Sequence, residues 1–295
     1  MSFVEVSFEV PEKTTDACSE LLEKLGALAV SYFDGANEPL LEPLPGTTPL
    51  WNKVKVVGLF EAGADLSHLR KTLFDFLPDL SLQVSTLADQ EWSRVWLEHF
   101  KPMRFGDNFW VAPHEHPEVT ALEKEAIVLK LDPGLAFGTG THPTTALCLE
   151  WLSNHAPKGQ YVIDYGCGSG ILGIGALLLG AKHVDAIDYD PQALISTQDN
   201  AQRNNLISEQ IAVYRPEDFK AEQPAKTVLA NILAEPLIEL APRLRLLTEI
   251  GGHLVLSGLL TNQAEMVKAA YRDWFSFEPV KSVDDWALLV GVRIA

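Results

Sequence analysis

A glycine-rich turn in the middle of the chain constrains the fold more than any other feature. Residues 161–165 are predicted to form a strand, the sequence Gly-Cys-Gly-Ser-Gly follows at 166–170, and a helix is predicted near 170–180. Glycines at such a turn let the backbone change direction sharply and let a ligand approach the main chain without meeting a Cβ atom. The turn alone is a weak signal, so its neighbours decide between a ligand site and an ordinary tight turn.

The spacing of these glycines excludes two common phosphate-binding motifs. A dinucleotide-binding turn that starts at Gly166 needs glycine or alanine at position 171, where this chain has Ile171. No Gly-Lys-Ser or Gly-Lys-Thr follows, so the nucleoside triphosphate loop is absent as well. The remaining pattern is G-x-G-x-G, with Gly166 and Gly168 as candidate ligand contacts.

An acidic residue, Asp188, ends the next predicted strand, 184–188. A carboxylate at this place can accept hydrogen bonds from both ribose hydroxyls of an adenosine ligand. An acid at a strand end is usually only solvated, but here it follows the glycine turn at the spacing of a nucleoside site. The two features together favour binding of an adenosine-containing cofactor.

The chain beyond residue 131 alternates between apolar strands and helices, which predicts a parallel sheet with crossover helices. Strands are predicted at 161–165, 184–188, 211–215, 227–231, 252–257, 276–281 and 287–294. Helices are predicted near 170–180, 191–205, 236–248 and 262–273. The short turn at Asp284 and Asp285 makes the last two strands antiparallel neighbours. Seven strands with a terminal hairpin are typical of the Rossmann-like sheet of class I methyltransferases and predict S-adenosylmethionine as cofactor. Asp164 then either holds the glycine turn or faces the methionine amine of the cofactor.

The fourth predicted strand ends at Asn231, a candidate acceptor-binding residue. Amine methyltransferases carry Asn-Pro-Pro-Tyr or a variant here, and this chain has Asn-Ile-Leu-Ala. An aromatic side chain at this place can stack on a flat base. Its absence disfavours a nucleobase substrate without excluding one. Asn231 can accept a hydrogen bond from an amine and point the nitrogen lone pair at the methyl group.

The segment 132–145, Asp-Pro-Gly-Leu-Ala-Phe-Gly-Thr-Gly-Thr-His-Pro-Thr-Thr, is the most unusual part of the sequence. Its small and hydroxylated residues just before the cofactor-binding region suggest a lid or wall of the active site. The alternative is a loop followed by a capped helix, because Pro143 suits the first turn of a helix. His142 taken alone is more often a capping or structural histidine than a base.

This segment, the Gly-Cys-Gly-Ser-Gly turn and the Ala-Asn-Ile-Leu sequence at 230–233 together resemble the bacterial ribosomal protein L11 methyltransferase family. The resemblance covers essentially the whole chain. It implies methylation of lysine side chains and of the N-terminal α-amine of a basic ribosomal protein, L11. By similarity, cofactor contacts are expected at Thr145, Gly166, Asp188 and Asn231, and Phe137 and Gly138 are added from the unusual segment.

The first 90 residues carry none of the cofactor motifs. Their apolar patterns predict the order β-α-β-β-α-β, which suggests a ferredoxin-like α+β sandwich. We therefore expect a substrate-recognition domain at 1–90, a linker helix and connecting strands at 91–130, and the S-adenosylmethionine-binding domain at 131–295. The aromatic stripe of the linker helix, near 90–100, is more often packing than a substrate contact.

Charge and cysteine content limit the partners. Asp and Glu number 40 against 23 Lys and Arg, and no dense basic cluster is present. Direct binding of nucleic acid or of anionic membranes is therefore not expected, because both need a basic face. The acidic chain suits a basic protein substrate, although its charge alone is equally explained by solubility. Three scattered cysteines predict neither disulfides nor a zinc site, and with no export signal we expect a cytoplasmic location. We also expect a monomer.

The function predicted from these features is methyl transfer from S-adenosylmethionine to amines of L11, with Asn231 as the catalytic residue. One alternative is a methyltransferase of RNA or of a small amine. A second is a non-catalytic cofactor-binding adaptor that presents its N-terminal domain to a partner.

Overall fold

The computed structural model describes residues 3–38, 40, 47–87, 101–114, 116–117, 119–122, 124, 126–131 and 138–295. The chain divides into two compact units, Met1–Val95 and Trp96–Ala295. The division falls within the range 91–130, so the described part of that range belongs to the second unit. The roles assigned above to 1–90, 91–130 and 131–295 stay predictions. Across the described ranges, no helix is both long and apolar enough to cross a bilayer.

The first unit is a four-stranded sheet with two helices. Its strands are β1 (Phe3–Pro11), β2 (Ala29–Asp34), β3 (Lys53–Glu61) and β4 (Gln83–Leu87), and its helices are α1 (Thr15–Lys24) and α2 (Leu66–Phe76). These elements follow one another in the predicted order. The strands lie in the spatial order β2-β3-β1-β4, and each neighbouring pair is antiparallel.

Alternate residues of β1 and β3 form the core of this unit, because successive side chains of a strand point to opposite faces. The buried apolar side chains of these two strands are Val4, Val6, Phe8, Val10, Val54, Val56 and Phe60. Leu22 of α1 and Leu73 of α2 are buried in the same cluster. Each such side chain contributes about 1.5–3 kcal/mol when it is removed from water. Asp65 starts α2, since its carboxylate accepts hydrogen bonds from two backbone N–H groups of the first turn.

A small sheet opens the second unit. It consists of β5 (Met103–Phe105), β6 (Phe109–Ala112) and β7 (Ile127–Lys130), in that spatial order, with the short helix α3 (Val119–Leu122) before β7. Connecting strands were expected in the range 91–130, and β6 and β7 agree with this. β5 was not expected, because three residues are too few to show an alternating pattern. The helix predicted near 90–100 lies outside the described residues.

The main sheet contains eight strands in the described part of the chain, one more than the seven predicted. They are β8 (Tyr161–Tyr165), β9 (His183–Ile187), β10 (Ile211–Tyr214), β11 (Ala225–Asn231), β12 (Thr248–Leu260), β13 (Phe275–Phe277), β14 (Lys281–Val283) and β15 (Trp286–Arg293). The single strand expected at 276–281 is interrupted at Pro279, which has no N–H to donate to a ladder. Both pieces, β13 and β14, pair antiparallel with β15.

Helices cover both faces of this sheet. They are α4 (Pro143–Asn154), α5 (Ile171–Leu178), α6 (Pro191–Arg203), α7 (Ala234–Glu239), α8 (Ala241–Leu247) and α9 (Ala264–Tyr271). α4, α5 and α6 contribute buried residues to one apolar cluster, and α7, α8 and α9 contribute to another. The helix expected at 236–248 is two helices, with Pro242 in the first turn of the second, where the missing N–H is tolerated.

Strand order determines where a ligand site can form. The spatial order is β10-β9-β8-β11-β12-β15-β13, and the pairs from β10 to β12 are parallel. The carboxyl ends of β8, β9 and β11 therefore lie at one edge of the sheet. In open α/β sheets ligands bind at this edge, next to the point where the strand order reverses. Asp164, Asp188 and Asn231 all lie at this edge.

Candidate functional site

The turn after β8 has the left-handed backbone that glycine adopts most readily. Gly166, Gly168 and Gly170 have φ values of 79°, 55° and 79°. The N–H groups of Gly166 and Cys167 donate to the Ile187 carbonyl at 2.7 and 3.0 Å, which joins the turn to the end of β9. A Cβ atom on Gly166 would also overlap Cγ2 of Ile232. Conformation and close packing both require the glycine at this position.

Asp188 lies one residue beyond the end of β9 and is bonded to the glycine turn. Its Oδ2 accepts a hydrogen bond from Gly168 N at 2.9 Å, and its Oδ1 accepts one from Asp190 N at 3.0 Å. A carboxylate oxygen has two lone pairs, so each oxygen can accept a further hydrogen bond. The structure therefore gives Asp188 a turn-stabilising role and leaves acceptor capacity for a pair of hydroxyls.

Asp164 is the most deeply buried acid of the site, with 1% of its surface exposed. Its Oδ2 accepts a hydrogen bond from Gly173 N at 2.8 Å, so the carboxylate holds the first turn of α5. Its Oδ1 is buried and has no hydrogen-bond partner among the described residues. Burial raises the pKa of Asp164 to about 7, against the opposing hydrogen bond from Gly173, and the charge of Asp188 adds to the rise. One oxygen stays available for a donor from a ligand.

Asn231 ends β11 and meets the first turn of α4. Its Nδ2 donates to Oγ1 of Thr145 at 3.2 Å, which fixes the orientation of the amide. The opposite atom, Oδ1, is buried and has no partner within the described ranges. The two residues are far apart in sequence, and the structure brings them together as an oriented pair. Oδ1 of Asn231 is therefore an oriented, unpaired hydrogen-bond acceptor at the edge of the sheet.

The unusual segment before α4 is described from Gly138 onward, and Phe137 lies outside the described residues. Ser169 Oγ donates to the Gly138 carbonyl at 2.6 Å, which places Gly138 against the glycine turn. His142 is the N-cap of α4, with Nδ1 facing Thr144 N at 3.4 Å. Its ring packs edge-on against Trp286 with centroids 4.7 Å apart, and burial lowers its pKa. The structure supports the capping interpretation of this histidine.

Comparison with known proteins identifies the family. The model of the family described as Ribosomal protein L11 methyltransferase (PrmA) matches residues 2–294. The chain belongs to the ribosomal protein L11 methyltransferase family. The resemblance predicted from the loop segment, the glycine turn and the Asn-Ile-Leu sequence is thereby confirmed.

Relatives in this family align over nearly their whole length. A protein of Methylococcus capsulatus named ribosomal protein L11 methyltransferase is 50% identical and aligns over 96% of this chain and 97% of its own. A protein of Marinobacter nauticus with the same name is 46% identical over 99% of both chains. A crystal structure of ribosomal protein L11 methylase from Lactobacillus delbrueckii subsp. bulgaricus has a TM-score of 0.59 and 28% identity. It covers 66% of this chain and 100% of that one.

In this member of the L11 methyltransferase family, α6 is hydrogen-bonded to the glycine turn, and the residue that follows α6 is hydrogen-bonded to the end of β7. Thr197 Oγ1 donates to the Gly168 carbonyl at 3.1 Å, and Asn200 Nδ2 donates to the Ser169 carbonyl at 2.9 Å. Asn204 pairs with the N–H and the carbonyl of Lys130 at 2.8 and 2.7 Å. Sequence reasoning missed these residues. The available signal was two asparagines four positions apart, which are unfavourable inside helices unless their side chains have partners.

An exposed aromatic residue, Tyr189, directly follows Asp188 and was also missed. Its side chain is 80% exposed at the same edge of the sheet. Single exposed apolar residues are common on protein surfaces, so exposure alone does not mark a ligand contact. In this family member its position beside Asp188 makes it a candidate contact for a flat ring.

Proposed function

We propose that this protein transfers methyl groups from S-adenosylmethionine to lysine side chains and to the N-terminal α-amine of ribosomal protein L11. Family membership and the names of the relatives support the reaction and the substrate. The observation that carries the proposal is the unpaired, buried Oδ1 of Asn231, held in place by Thr145. An oriented acceptor next to a nucleoside-type turn suits a nucleophilic amine.

The residues at the carboxyl edge fit S-adenosylmethionine. Asp188 would accept hydrogen bonds from the ribose hydroxyls, and Tyr189 would cover the adenine ring. The unpaired Oδ1 of Asp164 would take a hydrogen bond from the α-amine, and Gly166 and Gly168 leave the main chain open to the ligand. When bound, the cofactor supplies a methyl group activated by its positively charged sulfur.

The contribution of the protein's own residues is selection and alignment of the amine. A free lysine has a pKa of about 10.4, so about one amine in a thousand is neutral near pH 7.4. Burial at the site favours the neutral form by desolvation. Asn231 carries no titratable group, so it orients the neutral amine rather than taking its proton. In-line displacement depends strongly on such alignment.

We propose that the eight-stranded sheet is a variant of the class I methyltransferase sheet.

We propose that the first unit is a ferredoxin-like domain that holds L11. The element order and the antiparallel strand order β2-β3-β1-β4 support the ferredoxin-like assignment. Residues 1–90 carry fourteen Asp and Glu against six Lys and Arg. Such an excess of negative charge attracts a basic protein. A ribosomal substrate also agrees with the expected cytoplasmic location.

Labelling of ribosomal proteins tests the proposal. The full-length protein would be incubated with isotopically labelled S-adenosylmethionine and purified ribosomal proteins, and the products analysed by mass spectrometry. L11 should be labelled on lysines and at its N-terminus, and Asn231→Ala should abolish most of the label while cofactor binding persists. Label on RNA or on small amines instead would support the alternative methyltransferases. Cofactor binding without any label would indicate a non-catalytic adaptor.

A further inference from the structure

β12 is irregular at the point where it passes the end of β11. Leu256 pairs with Leu289 of β15, and the next recorded pair is Leu259 with Ala287, so the register shifts between them. Two residues of β12 therefore face one residue of β15, as in a β-bulge. Gly258 lies within this irregularity and has a φ of 84°, in the left-handed region. Bulges of this kind re-aim the chain and are frequent next to active sites.

The missing side chain of Gly258 leaves room for the main chain of Ile232. A Cβ atom on Gly258 would overlap the carbonyl oxygen of Ile232. It would also lie 2.7 Å from the carbonyl carbon and 2.8 Å from the backbone nitrogen of Ile232. Ile232 N also donates to the Ser257 carbonyl at 3.2 Å, so this main chain is bonded where it is packed. Because all the overlapping atoms belong to the backbone, no change of rotamer can relieve the overlap.

A second glycine, Gly166, contacts the side chain of Ile232. A Cβ atom on Gly166 would overlap Cγ2 of Ile232, and Gly166 itself is bonded to the end of β9. Ile232 therefore lies between two glycines, one against its main chain and the other against its side chain. Asn231 is the preceding residue and shares a rigid, planar peptide unit with Ile232. A displacement of the Ile232 nitrogen is therefore transmitted to the Asn231 main chain.

We infer that Gly258 is a positioning residue for Asn231: by lacking a side chain, it sets where the Asn231 amide is held. This inference rests on the proposed function, in which Asn231 orients the acceptor amine. A misplacement of about 1 Å in an aligned active site lowers the rate by about a hundredfold. A single methyl group at position 258 is large enough to cause such a displacement, since overlapping backbone atoms must move apart.

The same strand offers a matched control. Gly251 in β12 has a φ of 74°, close to that of Gly258, but the nearest atom to an added Cβ is Nζ of Lys226 at 3.8 Å. Gly251→Ala therefore carries the backbone strain of a left-handed alanine without an overlap. Gly258→Ala carries both, so the difference between the two variants isolates the packing against Ile232.

The test compares the two variants with the wild-type protein in full length. For Gly258→Ala, we expect kcat for L11 methylation to fall by about a hundredfold and the affinity for S-adenosylmethionine to fall by less than tenfold. Gly251→Ala should lower the melting temperature but keep kcat near the wild-type value. Equal kcat values in the two variants would overturn the inference.

Two further measurements test the role of Gly258. If Gly258→Ala does not fold, Ile232→Ala takes its place, because this substitution removes the side chain that packs against Gly166. Ile232→Ala should lower kcat more than Ile232→Val does. Equal kcat values in these two variants would overturn the inference. The second measurement is independent of the substrate. The side-chain amide signal of Asn231 in ¹⁵N spectra should shift in Gly258→Ala and not in Gly251→Ala. An unshifted signal would overturn the inference, whereas a wild-type protein that leaves L11 unmethylated would overturn only the proposed function.

Discussion

Two buried oxygens at the site, Oδ1 of Asp164 and Oδ1 of Asn231, have no hydrogen-bond partner in the described structure. A buried polar atom without a partner destabilises a fold by about 1–3 kcal/mol, and more when it is charged. Such unpaired atoms occur at sites where a bound ligand supplies the missing hydrogen bond. Both lie at the edge where the ends of β8, β9 and β11 meet, so a ligand bound at this edge can offset the loss of stability that these two atoms cause.

Asp164 should make stability depend on pH in a recognisable direction. Burial raises its pKa in the folded protein above the ordinary value of 3.8, to about 7. The folded state therefore holds the proton more tightly than the unfolded state. The free energy of unfolding should fall as pH rises from about 4 and level off above about 7, by roughly 2–4 kcal/mol. Asp164→Asn should remove that slope in urea unfolding curves, whereas parallel curves for both proteins would contradict the assignment.

Asp188 and Asp190 allow a matched test of the ribose contact. Asp188→Ala should weaken S-adenosylmethionine binding by about 1.5–3 kcal/mol, because it removes charge-assisted acceptors. Asp190 instead caps α6 through Gln192 N at 2.9 Å. Asp190→Ala should lower the unfolding free energy by about 1 kcal/mol and leave cofactor affinity unchanged. Isothermal titration calorimetry decides: an unchanged affinity in Asp188→Ala would place the ribose elsewhere.

At the scale of elements, α6 is more than a crossover helix between β9 and β10. Its Thr197 and Asn200 are almost completely buried and donate to two carbonyls of the glycine turn. Asn204, just beyond the helix, forms two hydrogen bonds with Lys130 at the end of β7. The shape of the turn therefore depends on an element that follows it in sequence and packs behind it.

Removing one of these hydrogen bonds should affect both the fold and the cofactor. Asn200→Ala leaves the Ser169 carbonyl without its partner, so we expect a loss of about 1–3 kcal/mol in unfolding free energy and weaker cofactor binding. Gln202→Ala, at an exposed position of the same helix, should change stability by less than about 0.5 kcal/mol. If calorimetry shows wild-type affinity in Asn200→Ala despite a lower melting temperature, the helix stabilises the fold without shaping the site.

At the scale of the whole molecule, the two compact units separate two tasks in the proposed function. The glycine turn, Asp164, Asp188, Asn231 and Thr145 all belong to the second unit. The first unit holds none of them and carries a large excess of acidic residues. Cofactor binding and recognition of a basic protein can then be assigned to different parts of the chain.

A fragment of residues 96–295 tests this division. It should bind S-adenosylmethionine with near-normal affinity and lose most of its methylation of intact L11, because the acidic unit is missing. Raising the salt concentration should increase the KM of the full-length protein for L11, since exposed charges are screened. Methylation by the fragment at the rate of the whole chain would show that the first unit is not the recognition element.

Local features of the sequence were sufficient for the order of most elements. Hydrophobic periodicity predicted most strands and helices, and it placed Gly166 in the turn after a strand and Asp188 and Asn231 at the ends of strands. These inferences depend only on neighbours along the chain. They were wrong where proline broke an apolar run, at Pro279 and Pro242, since a periodic pattern does not register a missing N–H.

Contacts between distant segments were decided only by the tertiary structure. The hydrogen bond from Asn231 to Thr145, the packing of Gly258 on the Ile232 main chain and the bonds from α6 to the glycine turn all join residues that no local pattern relates. The same holds for the unpaired oxygens of Asp164 and Asn231, because burial and the absence of a partner are properties of the packed chain. Sequence predicts which residue types stand at the edge of the sheet, and the close packing of the fold determines which of their atoms remain free for a ligand.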